Sequence, residues 1–439
     1  MSPNYFSWVK DLTDPSKIYE KPEALDCLRV LDISTGNFAA LFCSSILAEL
    51  GAEVIRIELP GGDISRKMTP EGIIVKDTGL AYIAEGGRNK YHITLNYKSE
   101  EGLKILKMLI ARSDVLIESF KPSEVIKMGL KYEDLREINE RIIYVSYSST
   151  GNFGPKVKDY YDYDLIDQAI STIMSVTGEA EFDPKVPDDY KVPLKIGNWM
   201  AWYVGGAWGA YATLLALFYR LHSGKGQYID VSPAECLLRH SNYYLQYYHE
   251  SRKLVPRFGP YDPAVFAYTV VRARDGKNVF IAGYSDENWK GLTNLIERPD
   301  LFEKYPTPAH RLKIENQIIL REEIENWAKN YNSDKIIEMA TEYSMDKTKV
   351  GTVVTGIVHS PKDSSKLDNW YERGILRWME DPYYGRMLIQ TSSFSWMSET
   401  PGRIKWICKP PGADNTYVYT KILCFDAKKL KELREGGVI

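Results

Sequence analysis

Cysteine is scarce. Only Cys27, Cys43, Cys236, Cys408 and Cys424 occur in 439 residues, and no two are spaced as CxxC. That spacing excludes a disulfide scaffold and a cysteine zinc site, and it points to a reducing cytosol. Neither sign of charge is in excess: 56 basic residues face 59 acidic ones, a net of −3. Without a basic surplus, nucleic acid and anionic membrane are poor partners. No apolar run reaches the roughly 20 residues of a membrane span. Residues 1–21, polar and aromatic with Asp11 and Asp14 early, do not read as a signal peptide. Also missing are GxGxxG, which disfavours a dinucleotide, and the GxSxG and HExxH motifs of hydrolases. Six histidines (His92, His222, His240, His249, His310 and His359) never pair at a metal spacing, so no metal is expected.

What is present is ordinary in bulk. Apolar residues make up 44% and charged residues 26%, as in a globular protein long enough for two domains. Tyrosine is the exception, at 31. Its apolar ring and polar tip suit large interfaces and half-wet clefts.

The chain opens on a βαβ pattern. Residues 28–33 read as a buried strand, 34–37 as a turn, 38–50 as a helix ended by Gly51, and 52–58 as a second strand before Pro60-Gly61-Gly62. Further strands are expected at 92–96, 114–118 and 142–148, with helices at 99–111 and 133–140 between them. Such alternation predicts an open, doubly wound α/β domain with a parallel sheet. Helices are expected over 163–176 and 200–222. The second carries Gly205, Gly206, Ala207, Gly209, Ala210 and Ala212, small residues that permit close packing, and a strand at 228–231 follows it. A smaller α+β domain is expected at 233–350, with 351–439 returning to the large domain 1–232.

Two loops are candidates for chemistry. The turn Ser34-Thr35-Gly36-Asn37 joins a strand to a helix N-terminus, where backbone N–H groups can hold an anion or a nucleotide moiety. It can equally be a plain βα turn. Arg88-Asn89-Lys90 follows Gly86-Gly87 before a strand, either to hold phosphates or as a solvated loop.

Ordered motifs then carry a resemblance. They are Leu28-Arg29-Val30-Leu31-Asp32, Leu47 through Glu58, Gly62-Asp63, Asn89-Lys90 before Ile93-Thr94-Leu95-Asn96, and Asp114 through Pro122. Tyr163-Asp164 with Gln168-Ala169, Ser223 through Gln227, Asp230-Val231-Ser232 and Thr400-Pro401-Gly402 follow in order. Together they resemble the family III CoA-transferases, the superfamily of formyl-CoA transferase, carnitine CoA-transferase and α-methylacyl-CoA racemase. The resemblance implies a Rossmann-like CoA domain completed by the C-terminal segment, a small inserted domain and an interlocked dimer. It also implies coenzyme A or acyl-CoA as ligand, with no covalently bound cofactor. The expected contacts for adenine and phosphates are Thr35, Gly36, Arg56, Arg88, Lys90, Ser119, Phe120 and Lys121.

In the family, an aspartate before the central helix attacks the acyl-CoA thioester and becomes a mixed anhydride and then an aspartyl-CoA thioester. Here the spacing back from Gly206 and Arg220 puts Trp202 at that position, with Asn198 in the nearest Gly-x pair. Neither is a carboxylate, and between Lys191 and Ser232 the only acidic residue is Asp230. No catalytic residue is therefore expected in this chain. The resemblance then implies a non-catalytic subunit partnered by a paralogous chain that keeps the aspartate. Two alternatives stay open: an active homodimer using Asp162, Asp164 or Asp167, and an acyl-CoA-binding protein without chemistry.

Overall fold

The computed structural model describes residues 3–155, 163–241, 243–392 and 394–439. The chain divides into two compact units.

The first unit comprises residues 1–171, 196–242 and 367–439. Its centre is a six-stranded parallel sheet of β1 (Arg29–Asp32), β2 (Glu53–Glu58), β3 (Lys90–Thr94), β4 (Val115–Glu118), β5 (Ile143–Tyr147) and β6 (Tyr228–Val231), in the order β3-β2-β1-β4-β5-β6. This is the Rossmann strand order, which reverses direction beside β1. Successive strand residues face opposite ways, so each strand feeds two cores. Val30, Val54, Val115, Ile117 and Val145 join one. Leu31, Ile55, Ile57, Leu116 and Tyr144 join the other. The first core is covered by α1 (Phe38–Glu49) and α4 (Met200–Ser223), and the second by α2 (Glu100–Ile110) and residues 418–433. The expected α/β class is observed.

The small residues of α4 have a steric reason. A Cβ on Gly206 would stand 2.7 Å from the Ala39 carbonyl oxygen, and one on Gly209 would stand 1.8 Å from Tyr147 Oη. Only glycine lets α4 lie this close to α1 and β5.

Edge strand β3 is closed by the C-terminal segment. Asn89 donates from Nδ2 to the Arg403 and Ala48 carbonyls, and accepts the Lys405 and Trp406 N–H groups on Oδ1. Trp406 Nε1 donates to the Lys90 carbonyl, and the Thr94 N–H donates to Asn415 Oδ1. The strand starts two residues earlier than the hydrophobic run suggests, because Lys90 and Tyr91 pair with Val54 and Ile55.

The second unit comprises residues 172–195 and 243–366. Strands β7 (Tyr268–Arg272), β8 (Asn278–Ala282) and β9 (Val354–Ile357) form an antiparallel sheet in the order β9-β8-β7. Trp289, Leu292, Leu320, Ile324, Ile336 and Ala340 of three helices share a core with Val271, Val279 and Ile281. The sequence suggests 233–350 for this unit and does not include 172–195. That segment is held by Arg257, which donates to the Lys191 and Ser175 carbonyls, and by Tyr261, which donates to Asp183 at 2.8 Å. The helix expected over 163–176 is broken: α3 spans Asp164–Ile170, and a separate turn begins after Thr172, whose φ is +70°. No helix among the described residues is long and apolar enough to cross a membrane. No cluster of metal-ligating side chains occurs among them either.

Candidate functional site

Trp202, where the sequence spacing leads one to expect the family's aspartate, lies at the start of α4, and its neighbours in α3 organise it. The Trp202 N–H donates to Asp164 Oδ1 at 3.0 Å. Gln168 Nε2 donates to Asp164 Oδ2 at 2.6 Å and to the Asn198 carbonyl at 3.1 Å, and Gln168 Oε1 accepts the Ile196 N–H. Trp199, the residue before α4, makes no side-chain cap of its own. Asp164 therefore caps the helix from outside, where a carboxylate also meets the positive end of the helix dipole. Asp162 lies outside the described residues.

Aromatic side chains fill the space around this helix end. Trp202 is 1% exposed. Its ring centroid lies 5.5 Å from that of Trp199, which lies 4.7 Å from Phe38. Tyr203 packs edge-on against Phe38 and Phe42, at 5.6 and 4.9 Å. Among the described residues Trp202 Nε1 has no hydrogen-bond partner, so the indole is held by packing. Asn198 is exposed at the surface.

The predicted CoA contacts separate into three places. Thr35, Gly36 and Ser119 meet, half-buried, at the carboxyl ends of β1 and β4, and Phe120 and Lys121 follow directly. The amides of the βα turn are already engaged, however. The Thr35 N–H donates to Ser119 Oγ at 3.0 Å, and the Gly36 N–H donates to Ser65 Oγ at 3.1 Å. Asp63 accepts from Thr35 Oγ1 at 2.5 Å and pairs with Arg56 at 3.2 Å. The sequence pattern suggests open amides for an anion; the structure replaces them with a turn clamped by an aspartate. The Phe120 N–H donates to Glu118 Oε2 at 2.7 Å.

Arg56 and Lys90 are fully buried. Arg56 reaches Asp32 at 2.8 Å and the Ser34 carbonyl at 2.5 Å. Lys90 reaches Asp32 at 3.2 Å, Ser44 Oγ at 2.7 Å and the Leu41 carbonyl at 2.9 Å. Burial alone would raise the Asp32 carboxyl, but Arg56, Lys90 and the Ser34 and Ser44 hydroxyls outweigh it and hold it at about 2. Burial pushes the Lys90 ammonium down to about 8 despite Asp32. These two cations balance an interior aspartate and shape the turn, so the reading of them as phosphate contacts is corrected. Arg88 also stands apart. It precedes β3, at the opposite end of the sheet from Thr35, and lies between Glu49 and Glu85. The Gly62-Asp63 pair was the sequence signal for the clamp on the turn. Nothing in the spacing marked Glu49 and Glu85 as partners of Arg88.

Comparison with known proteins agrees with this fold. Residues 25–415 match CoA-transferase family III, and the chain belongs to that family. It is 29% identical over 419 residues to the succinyl-CoA–L-malate CoA-transferase beta subunit of Chloroflexus aurantiacus, covering 94% of this chain and 97% of that one. It is 31% identical over 325 residues to the succinyl-CoA:mesaconate CoA-transferase of Haloarcula marismortui, covering 72% and 78%. A CAIB/BAIF family protein of Brucella suis superposes with a TM-score of 0.77 at 27% identity, over 92% of this chain and all of that one (100%).

Proposed function

We propose that this chain is a nucleophile-lacking subunit of a heteromeric family III CoA-transferase, which moves CoA from succinyl-CoA to a carboxylic acid. The observation that carries the reading is Trp202: a buried indole at the helix end where the family places its aspartate, with no carboxylate from residue 198 through 203. A relative named as one subunit of a succinyl-CoA-dependent enzyme supports a heteromeric arrangement. The partner is a paralogous chain that keeps the aspartate. We place the pair in the cytosol with its CoA substrates, and we take (R)-benzylsuccinate, a substituted succinate, as one candidate acceptor acid. If the subunit binds CoA, the half-open group of Thr35, Gly36, Ser119, Phe120 and Lys121 is the place for it, with Lys121 supplying charge.

Interlocked pairing is part of this proposal. Helix α4 exposes Trp208, Tyr211, Leu215 and Phe218. They are spaced three and four residues apart, one apolar stripe of the kind that obligate interfaces bury.

A second reading rests on Asp164, a carboxylate 3.0 Å from the Trp202 amide, used as a relocated nucleophile in a homodimer. One experiment separates the two. The chain is purified alone and with a co-expressed paralogue, incubated with succinyl-CoA and an acceptor acid, and trapped with hydroxylamine or borohydride. The proposal expects turnover and one adduct per pair, on the partner only. Turnover by the single chain, or an adduct on Asp164, overturns it.

A further inference from the structure

Residues 5–15 and 372–396 line a cavity of about 540 Å³, within the range of small-molecule sites. It shares no lining residue with the start of α4 or with the group around Thr35. Tyr5 through Pro15 also lie ahead of the span matched to the family. The apolar lining is Tyr5, Phe6, Val9, Pro15 and Trp396, and the Tyr5 and Phe6 rings meet edge-on at 5.8 Å. The polar lining holds two cations, Lys10 and Arg373, against one carboxylate, Glu372. All three are exposed, and none is in an ion pair among the described residues. Asp11 and Asp14 belong to the same segment as Lys10 but do not line the cavity. Ser395 is the one buried residue of the lining, 5% exposed, and its hydroxyl makes no hydrogen bond among the described residues. Buried hydroxyls are ordinarily bonded, as that of Thr13 is to the Val9 carbonyl.

The chain after this helix is firmly fixed. Tyr19 Oη donates to the Ile404 carbonyl at 2.7 Å, and Lys21 Nζ donates to the Ser398 carbonyl at 2.6 Å. Gly374, at φ +67°, runs so close that a Cβ on it would stand 2.5 Å from Pro15 Cβ. The helix Pro3–Leu12 is held far less: from residue 5 to residue 12 only Val9 is even half-buried. We infer that this cavity is a binding site for a small amphipathic monoanion, a flat body of one or two rings bearing a single negatively charged head. The body packs on the Tyr5, Phe6 and Trp396 rings. The Ser395 hydroxyl donates to the head, and the cation that Glu372 does not balance pairs with it. An organic cation would meet like charge at Lys10 and Arg373. A neutral apolar body would leave the Ser395 hydroxyl unbonded. Filling the cavity also ties the loosely held helix to the anchored segment, so binding and ordering of the helix support each other. The inference goes beyond the proposed function and does not rest on it.

The test is equilibrium binding of naphthalene-2-sulfonate to the full chain, by calorimetry and ligand-observed NMR. 2-Naphthylmethylammonium and 2-naphthalenemethanol carry a similar body with opposite or no charge, and decyl sulfate carries an anionic head on an alkyl chain. Saturable binding of the sulfonate is expected, about tenfold tighter than that of any of these three. Lys10→Glu and Arg373→Glu, both at exposed positions, should each weaken it about tenfold. Glu372→Gln should strengthen it, and Ser395→Ala should weaken it several-fold. Leu254→Ser, at an exposed apolar position outside the cavity, should change nothing. Amide hydrogen exchange at residues 5–12 should slow when the sulfonate binds. The inference is overturned if the sulfonate does not bind, or if the ammonium or decyl sulfate binds as tightly. It is equally overturned if the charge variants leave affinity unchanged, or if slowed exchange falls elsewhere than on residues 5–12. Turnover by the lone chain would refute the proposed function and leave this site standing.

Discussion

The carboxylate of Asp164 and the backbone amide of Trp202 lie 3.0 Å apart, so one turn of α3 caps the N-terminus of α4. The contact joins residues 38 positions apart in sequence. It decides how both are read: Asp164 is engaged through both oxygens, to Trp202 and to Gln168. Asp164→Ala should lower stability by about 1–2 kcal/mol, as lost caps do, and Asp164→Asn by less, since the acceptor survives. Urea unfolding of the three proteins checks this order.

Trp202 should behave as core. Trp202→Ala should cost about 3–5 kcal/mol, as expected when a buried large side chain is removed. Trp202→Phe should cost far less, because Nε1 loses no hydrogen bond. If the alanine variant is as stable as wild type, the indole is lining an open site rather than filling one.

The contact of Gly209 with Tyr147 predicts a suppressor pair. Gly209→Ala puts a Cβ 1.8 Å from Tyr147 Oη, overpacking that typically costs about 1–3 kcal/mol. Tyr147→Phe removes that oxygen, so the double variant should recover part of the loss. A double-mutant cycle on thermal midpoints would reveal the coupling; strict additivity would mean that the helix simply shifts away.

Glu118 gives the pH dependence a sign. Burial raises its carboxyl from 4.5 to about 7, against the Ser146 hydroxyl, the Phe120 amide and the Tyr144 hydroxyl, with Asp230 adding to the rise. The folded form therefore keeps a proton that the unfolded chain has already released. Its contribution is fully present below pH 4.5 and is lost as pH rises through about 7, a change on the order of 3 kcal/mol. Glu118→Gln should remove this fall and be the more stable protein at pH 8. Denaturation series at pH 5 and pH 8 on both proteins measure it.

Much of the first unit was legible because its signals are local. The alternation of β1 and β2, the Gly51 stop and the glycines of α4 are each set within a few residues. The opposite holds where charge is satisfied across the chain. Arg56 and Lys90 read as phosphate contacts until Asp32 is placed between them. Arg88 reads as a loop arginine until Glu49 arrives from 39 residues away. The open amides of Thr35 and Gly36 vanish once Ser119, Ser65 and Asp63 fold over them. Pairing over such distances leaves no periodic trace. The join of 172–195 to the second unit escapes notice for the same reason, since it depends on Arg257 and Tyr261.

The Asn89 latch sets an order of events. Its side chain holds residues that follow it by 314 to 317 positions, so during synthesis almost the whole chain is made before the latch can shut. Until then β3 presents an unpaired edge, a template for any passing strand, and late-closing edges of this kind expose large proteins to misassembly.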